Sequence, residues 1–143
     1  MLNQTAEYGM RAAVHLAGLE PGDRMRAAEI AEAIGVPANY LSKILHQLAA
    51  AGILESRRGR AGGFRLAVPA DRLSLAKVVS PLDALGRYRV CVLGSLVCSD
   101  RTACAAHDRW KPLASSLMEF LKRTTVADLL PPTPRRGGSG PRR

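Results

Sequence analysis

Aromatic residues are scarce in this chain. Two Phe, three Tyr and one Trp in 143 positions make 4% of it, against 47% hydrophobic residues in all, so any core is mostly aliphatic. No apolar run reaches the ~18 residues that a membrane-spanning helix needs. The opening MLNQTAEYGMRAAVHL lacks a basic-then-apolar leader with a cleavage site, so the expected location is the cytoplasm. Cysteine is sparse too: three residues, an odd number, in a reducing compartment make poor disulfide material and better metal or redox material. Enzyme signatures are missing. There is no glycine-rich phosphate loop, no H-E-x-x-H and no pair of carboxylates framing a histidine, and no internal repeat. Acidic residues are outnumbered, 12 against 21 Lys and Arg, for a net charge of +9. Taking away the four arginines of the tail PPTPRRGGSGPRR leaves +5 on residues 1–130. The tail reads as disordered and basic, and a folded part that stays basic is compatible with a polyanion partner.

What is present reads as helices first. Residues 4–19 place Tyr8, Ala12, Leu16 and Leu19 on one face, and Pro21-Gly22 ends the run. Residues 27–34, AAEIAEAI, are strong helix formers. Gly35-Val36-Pro37 breaks them, and Pro37 is placed as the first residue of a third helix running to about Ala51, closed by Gly52. Its Leu41, Ile44, Leu45 and Leu48 point inward, and Asn39, Ser42, Lys43 and His46 outward. The period then changes to two. A strand starts at Leu54, and in a second one Phe64, Leu66 and Val68 alternate with Arg65 and Ala67, with the turn RRGRAGG between them. Pro69-Ala70-Asp71 is a loop, Ser74 caps a short helix through Val79, and Pro81 stops it. Residues 86–107 show no period and hold all the cysteines. From about Asp108 a long helix carries Trp110, Leu113, Leu117 and Phe120, a seam suited to pairing with another helix. Pro112 must sit in its first turn unless the helix bends, and Thr125 caps a last short turn, VADLL.

Helix, tight turn, helix, then a basic hairpin is the order of a winged helix-turn-helix. The expected fold is mainly α with a small β-hairpin: a winged helix-turn-helix plus a long C-terminal dimerisation helix. Residues 1–85 form the DNA-binding domain, with the helix-turn-helix at about 27–50 and the wing at about 53–68. Residues 86–107 are the cysteine segment, 108–130 the dimerisation helix and short terminal helix, and 131–143 the tail. Ala31, four residues before Gly35, allows the two helices a close approach, while Ile30, Ile34, Leu41 and Ile44 lock them. The third helix offers its N-terminal half to the major groove of double-stranded DNA. On that face Asn39 and Lys43 suit base edges, Tyr40 and Ser42 suit bases or phosphates, and His46 completes the set. Arg57, Arg58 and Arg60 at the wing tip suit phosphates or a narrow minor groove, and Gly59, Gly62 and Gly63 let the backbone lie close to the duplex.

Cys91, Cys98 and Cys104 are separated by six and five residues. That is neither the paired C-x-x-C of a zinc ribbon nor a redox C-x-x-C. Iron–sulfur ligation and three buried structural thiols both remain open on the residues alone.

The stretches AEYGMRAAVHLA, GVPANYLSKILHQLAAAGILESRRGRAGGFRLA and CSDRTACAAHDRW…FLKRTTVADLL together resemble the Rrf-two family of bacterial winged-helix transcription regulators, with its IscR-like and NsrR-like, iron–sulfur cluster dependent members. The resemblance covers residues 1 to about 130 and is most specific over NYLSKIL…RGRAGGFRLA. It implies a homodimer on an imperfect palindromic operator, a repressor, and a cluster held by Cys91, Cys98 and Cys104. IscR-like members imply His107 as the fourth ligand and a 2Fe–2S cluster; NsrR-like members imply Glu7 from the partner subunit and a 4Fe–4S cluster. The first of these is favoured. Iron–sulfur supply, redox state or nitric oxide would then be the signal. The family also includes members without cluster cysteines, which keeps open a metal-free winged-helix regulator whose cysteines are redox-active or structural thiols. Ser42 stands where some relatives carry an acidic residue that screens operators.

Overall fold

Asn3 shows how the chain begins to fold. In the computed structural model, which describes residues 2–85, 92–93, 100–101 and 103–132, Asn3 is extended and its side-chain oxygen accepts the Ala6 N–H at 2.8 Å, capping helix α1 (Gln4–Ala17). The same residue donates its own N–H to Asp83 Oδ2 at 3.0 Å and its Nδ2 to the Leu82 carbonyl at 3.2 Å. One residue thus caps a helix and ties it to partners 79 and 80 positions away. Helix α1 ends two residues earlier than the apolar spacing predicts, because Gly18 follows Ala17 and turns its N–H back to the His15 and Leu16 carbonyls. Its buried face is built of small residues, Ala6, Gly9, Ala12 and Ala13, with Leu16. A Cβ at Gly9 would overlap the Leu82 side chain, which would have to shift to admit it.

Helix α2 (Ala27–Ile34) and helix α3 (Ala38–Ala50) enclose the turn. Gly35 takes φ 69° and ψ 44°, the left-handed conformation the sequence requires of it. Pro37 is the residue before α3 rather than its first residue. At φ −57° and ψ 127° it is still extended, and only its carbonyl joins the helix, accepting the Leu41 N–H at 3.0 Å. Ile30, Ala31, Leu41 and Ile44 are all buried, whereas Ile34 is half-exposed and contributes less to the lock than its spacing suggests.

Strands β1 (Leu54–Arg57) and β2 (Gly63–Leu66) pair antiparallel from Leu54 opposite Leu66 to Arg57 opposite Gly63. Met25 adds an edge to them: its N–H and C=O both bond to Phe64, at 3.0 and 2.7 Å. The wing is therefore laced to the residue just before the helix-turn-helix. Val68 falls beyond the strand, and residues 70–72, expected as irregular loop, form a single 3-10 turn. Ser74 caps α4 (Leu75–Val79) as expected, and the helix stops before Pro81.

Helix α5 (His107–Arg123) starts at His107, one residue before the expected boundary. Pro112 lies in its second turn, not its first, so the Asp108 carbonyl loses the N–H that a residue four positions on would supply. The C-terminal end of α5 belongs to the head, the core that α1–α4 and the hairpin build. Leu121 and Val126 are fully buried with Leu73, Leu75 and Val78. The backbone closes the joint, with Leu75 N–H on the Thr124 carbonyl at 2.9 Å and Val126 N–H on that of Leu73 at 2.8 Å. Thr125 and Asp128 then exchange hydrogen bonds at 2.8 and 3.3 Å to cap the last turn (Ala127–Leu129). Each fully buried Leu removes enough apolar surface to stabilise the fold by ~2 kcal/mol. Among the described residues, no helix is long and apolar enough to cross a membrane. Most of the expected basic tail, 133–143, lies outside the described residues.

Candidate nucleic-acid interface and cysteine segment

The outward face of α3 divides into anchored and unanchored side chains. Asn39 and Lys43 are exposed and have no partner among the described residues. Ser42 is half-buried between them. Tyr40 is 40% exposed, but its hydroxyl meets Thr5 Oγ1 at 2.6 Å and its ring stands edge-on to Tyr8, centroids 5.8 Å apart. Tyr8 is braced in turn by Gln4 Nε2 at 2.9 Å and by the Arg11 guanidinium over its ring. Arg11 also donates to the Ile34 carbonyl at the end of α2. Tyr40 thus holds the start of α3 against α1. His46 is exposed but packs edge-on to Phe64 at 5.5 Å, joining α3 to the wing. Of the five α3 residues singled out from sequence, two build the surface and two are open to a ligand.

On the wing, Arg57, Arg58 and Arg60 are all exposed around the tip. Its glycines answer to the wing's own backbone. A Cβ on Gly62 would overlap the Arg57 carbonyl, and one on Gly63 would stand 2.6 Å from the Met25 carbonyl, at φ 126°. These positions are already fixed by folding. Sequence reasoning missed three residues here. Arg26 Nη2 donates to the Gly59 and Arg60 carbonyls at 3.0 and 3.1 Å. Glu55 accepts from Arg24 at 2.8 Å and from Arg65 at 3.0 Å. The Arg24 hydrogen bond first, then that of Arg65, holds the Glu55 carboxyl below its usual range. Cross-strand register makes Glu55 and Arg65 neighbours, which the strand alternation could have shown. Nothing local in the sequence marks Arg26, whose acceptors lie more than thirty residues away.

Cys91 and Cys98 lie outside the described residues. Cys104 is half-buried, and its carbonyl accepts the His107 N–H at 3.0 Å at the start of α5. The His107 side chain is buried, with Nε2 3.0 Å from Asp100 Oδ1, an oxygen that Lys111 Nζ also reaches at 2.8 Å. Lys111 first and His107 second hold the Asp100 carboxyl low, so it is an acceptor and Nε2 must donate. The lone pair of a neutral imidazole then falls on Nδ1. Glu7 is exposed on α1, beside an apolar groove of about 370 Å³ whose other walls include Val14, Leu117 and Phe120. Among the described residues, no three His, Cys, Asp or Glu side chains gather where they could hold a metal ion.

Comparison with known proteins places this arrangement. Residues 2–132 match the family model Rrf2, described as an iron-dependent transcriptional regulator. An HTH-type transcriptional regulator of Aquifex aeolicus is 30% identical over 132 residues, covering 91% of each chain. One from Mycobacterium tuberculosis is 36% identical over 129 residues, 90% of this chain and 80% of the relative. Among solved structures, CymR, the global cysteine regulator of B. subtilis, superposes with a TM-score of 0.76 at 22% identity, covering 90% of this chain and 95% of that one. T. potens IscR superposes at 0.71 with 23% identity, covering 90% and 84%.

Proposed function

The chain belongs to the Rrf2 family of winged-helix transcriptional regulators, and from that premise we propose that it works in the cytoplasm as a homodimeric repressor on an imperfect palindrome of double-stranded DNA. Its signal is iron–sulfur supply, redox state or nitric oxide, read through a cluster on Cys91, Cys98 and Cys104. The observation that carries the DNA reading is the coupling of helix and wing. His46 on Phe64, and Phe64 on Met25, join α3, the wing and the start of α2 into one surface. The exposed polar residues Asn39 and Lys43 come to it from α3, and Arg57, Arg58 and Arg60 from the wing. Asn39 suits an adenine edge and Lys43 a guanine edge in the major groove, while the wing arginines neutralise phosphates.

The dimer reading is supported by apolar residues left uncovered on α5, Leu113 at 64% exposure and Phe120 at 52%, and on the turn after it, Leu129 at 42%. Phe120 and Leu129 border the groove against α1, and a second copy of α5 supplies the matching apolar face. Two heads on one palindrome must sit about one helical turn, ~34 Å, apart, so a change at the joint between head and α5 changes whether both dock.

The donor set fits a cluster. Cys104 and His107 are three residues apart at the start of α5, and a carboxylate taking the far N–H of an imidazole is the usual support for a metal-bound histidine. Cys91 and Cys98 would complete the thiolates, with His107 as fourth ligand to a 2Fe–2S cluster. The rival is Glu7 of the partner subunit with 4Fe–4S. When bound, the cluster supplies a centre sensitive to oxidation and nitric oxide. Asp100 and Lys111 orient His107, and residues 86–107 connect that centre to both head and dimer helix. The second reading, a metal-free regulator with redox-active or structural thiols, is favoured by the same hydrogen bond. The Asp100–His107 contact buries the imidazole without needing a metal.

Oxygen-free purification with iron and sulfide analysis and Mössbauer spectroscopy separates the two. A coloured protein that Cys98→Ser bleaches, with altered operator affinity, supports the cluster. Pale, iron-poor protein that binds DNA equally under reductant and oxidant leaves only the metal-free regulator.

A further inference from the structure

We propose that Arg26 is a positioning residue for the wing, and that it turns the wing tip into a backbone site for one DNA phosphate. The proposal rests on reading the wing as a DNA contact. Arg26 stands immediately before α2, where its own N–H is already satisfied by Glu29 Oε2 at 3.0 Å. Its guanidinium is therefore not needed for that cap. It reaches across to the hairpin and takes two successive carbonyls, Gly59 at 3.0 Å and Arg60 at 3.1 Å. Among the described residues every peptide bond is trans. In a trans peptide the carbonyl and the following N–H point in opposite directions. Turning the Gly59 and Arg60 carbonyls toward Arg26 therefore aims the N–H groups of Arg60 and Ala61 away from it. Neither amide has an acceptor among the described residues. Two consecutive N–H groups aimed outward make a concavity suited to an anion, here with the Arg58 and Arg60 side chains beside it. The tip closes on itself through Gly62 N–H on the Gly59 carbonyl at 3.0 Å, so Gly59 is held from both sides.

The chemistry separates orientation from charge. A phosphate contact made by a cation releases a counterion and steepens the salt dependence of binding, whereas a neutral amide adds affinity and no slope. Arg26→Ala, Arg26→Lys, Arg58→Ala and Lys43→Ala are compared in the full-length chain. Binding to a palindromic duplex is measured over a salt series, and hydrogen exchange at the Gly62 amide is measured without DNA. Arg26→Ala is expected to speed Gly62 exchange and weaken binding roughly tenfold, the scale of lost bonds from a charged donor. Its salt slope should stay at the parent value. Arg58→Ala is expected to lower the slope by about one and leave Gly62 exchange alone. Arg26→Lys keeps the charge but not the fork, so it should fall between parent and alanine in both measurements. Unchanged Gly62 exchange in Arg26→Ala, a slope that drops as in Arg58→Ala, or full affinity in Arg26→Lys with fast Gly62 exchange overturns the proposal. Should Arg58→Ala and Lys43→Ala both bind as the parent does, the DNA reading itself fails and takes the proposal with it.

Discussion

Phe120 and Leu121 are adjacent on α5 and both line the groove along α1, yet one is sealed into the core and the other is open to solvent. Leu121 is fully buried against Leu73, Leu75 and Val78, so its turn of helix is part of the head. Phe120 is 52% exposed and lines the groove along α1. One helix therefore has two faces: its inward stripe completes a fold, and its outward stripe leaves apolar side chains uncovered, the face proposed for a second copy. This division matters for any signal passed through the chain. A rotation of α5 cannot move the seam without also loading the joint at residues 121–126, where two backbone hydrogen bonds and two buried side chains hold it to the head.

Two substitutions can break that comparison. The larger effect belongs to Leu121→Ala, which deletes buried methyl groups and leaves a cavity. It should lower the unfolding free energy by about 2–5 kcal/mol, read from urea denaturation at fixed protein concentration. Phe120→Asp should leave the secondary structure intact and instead raise the dimer dissociation constant ~30-fold or more, as loss of a central aromatic anchor does. Sedimentation across a concentration series reads the second effect. If Phe120→Asp stays dimeric while Leu121→Ala falls apart, the outward stripe is not the interface and the two surfaces have been assigned the wrong way round.

The head was legible because its rules are local. Two periodicities, 3.6 and 2, a left-handed glycine at 35 and a cap at Ser74 each act over a few residues, and each appears in the structure where the spacing puts it. The misplaced details, the early end of α1 at Gly18, the role of Pro37 and the position of Pro112, are boundary effects. There one residue's backbone preference outweighs the apolar pattern. Residues that join distant segments gave less away. Asn3 to Asp83, Arg26 to the wing carbonyls and Tyr40 to Thr5 are side-chain bonds across 80, 33 or 34, and 35 positions, and no local period marks them. The α3 face was found because exposure follows from helical spacing. Which of its residues are occupied, Tyr40 and His46, depends on partners in other elements. The cysteine segment has no period to read, and only the resemblance to a family suggested its chemistry.

Within the head a smaller contrast exists between the buried lock of α2 on α3 and the exposed charge cluster on the wing, and Glu55 tests it. Arg24 and Arg65 favour its carboxylate, so its pKa is lower in the folded protein than in the unfolded chain. By linkage, the stability this charge contributes is fully present above the unfolded pKa and is lost as pH falls through the folded one. Glu55→Gln keeps the shape and an acceptor oxygen but cannot ionise. At neutral pH the variant should melt slightly below the parent, the smallest of these effects because the Glu55 carboxylate is solvent-exposed and screened. The gap between the two melting temperatures should close on acidification through the carboxylate range and shrink in high salt. A gap that persists at low pH would show that Glu55 holds Arg24 and Arg65 through hydrogen-bond geometry, with charge contributing nothing. The wing would then owe its order to backbone pairing with Met25 rather than to the ion cluster on its outer face.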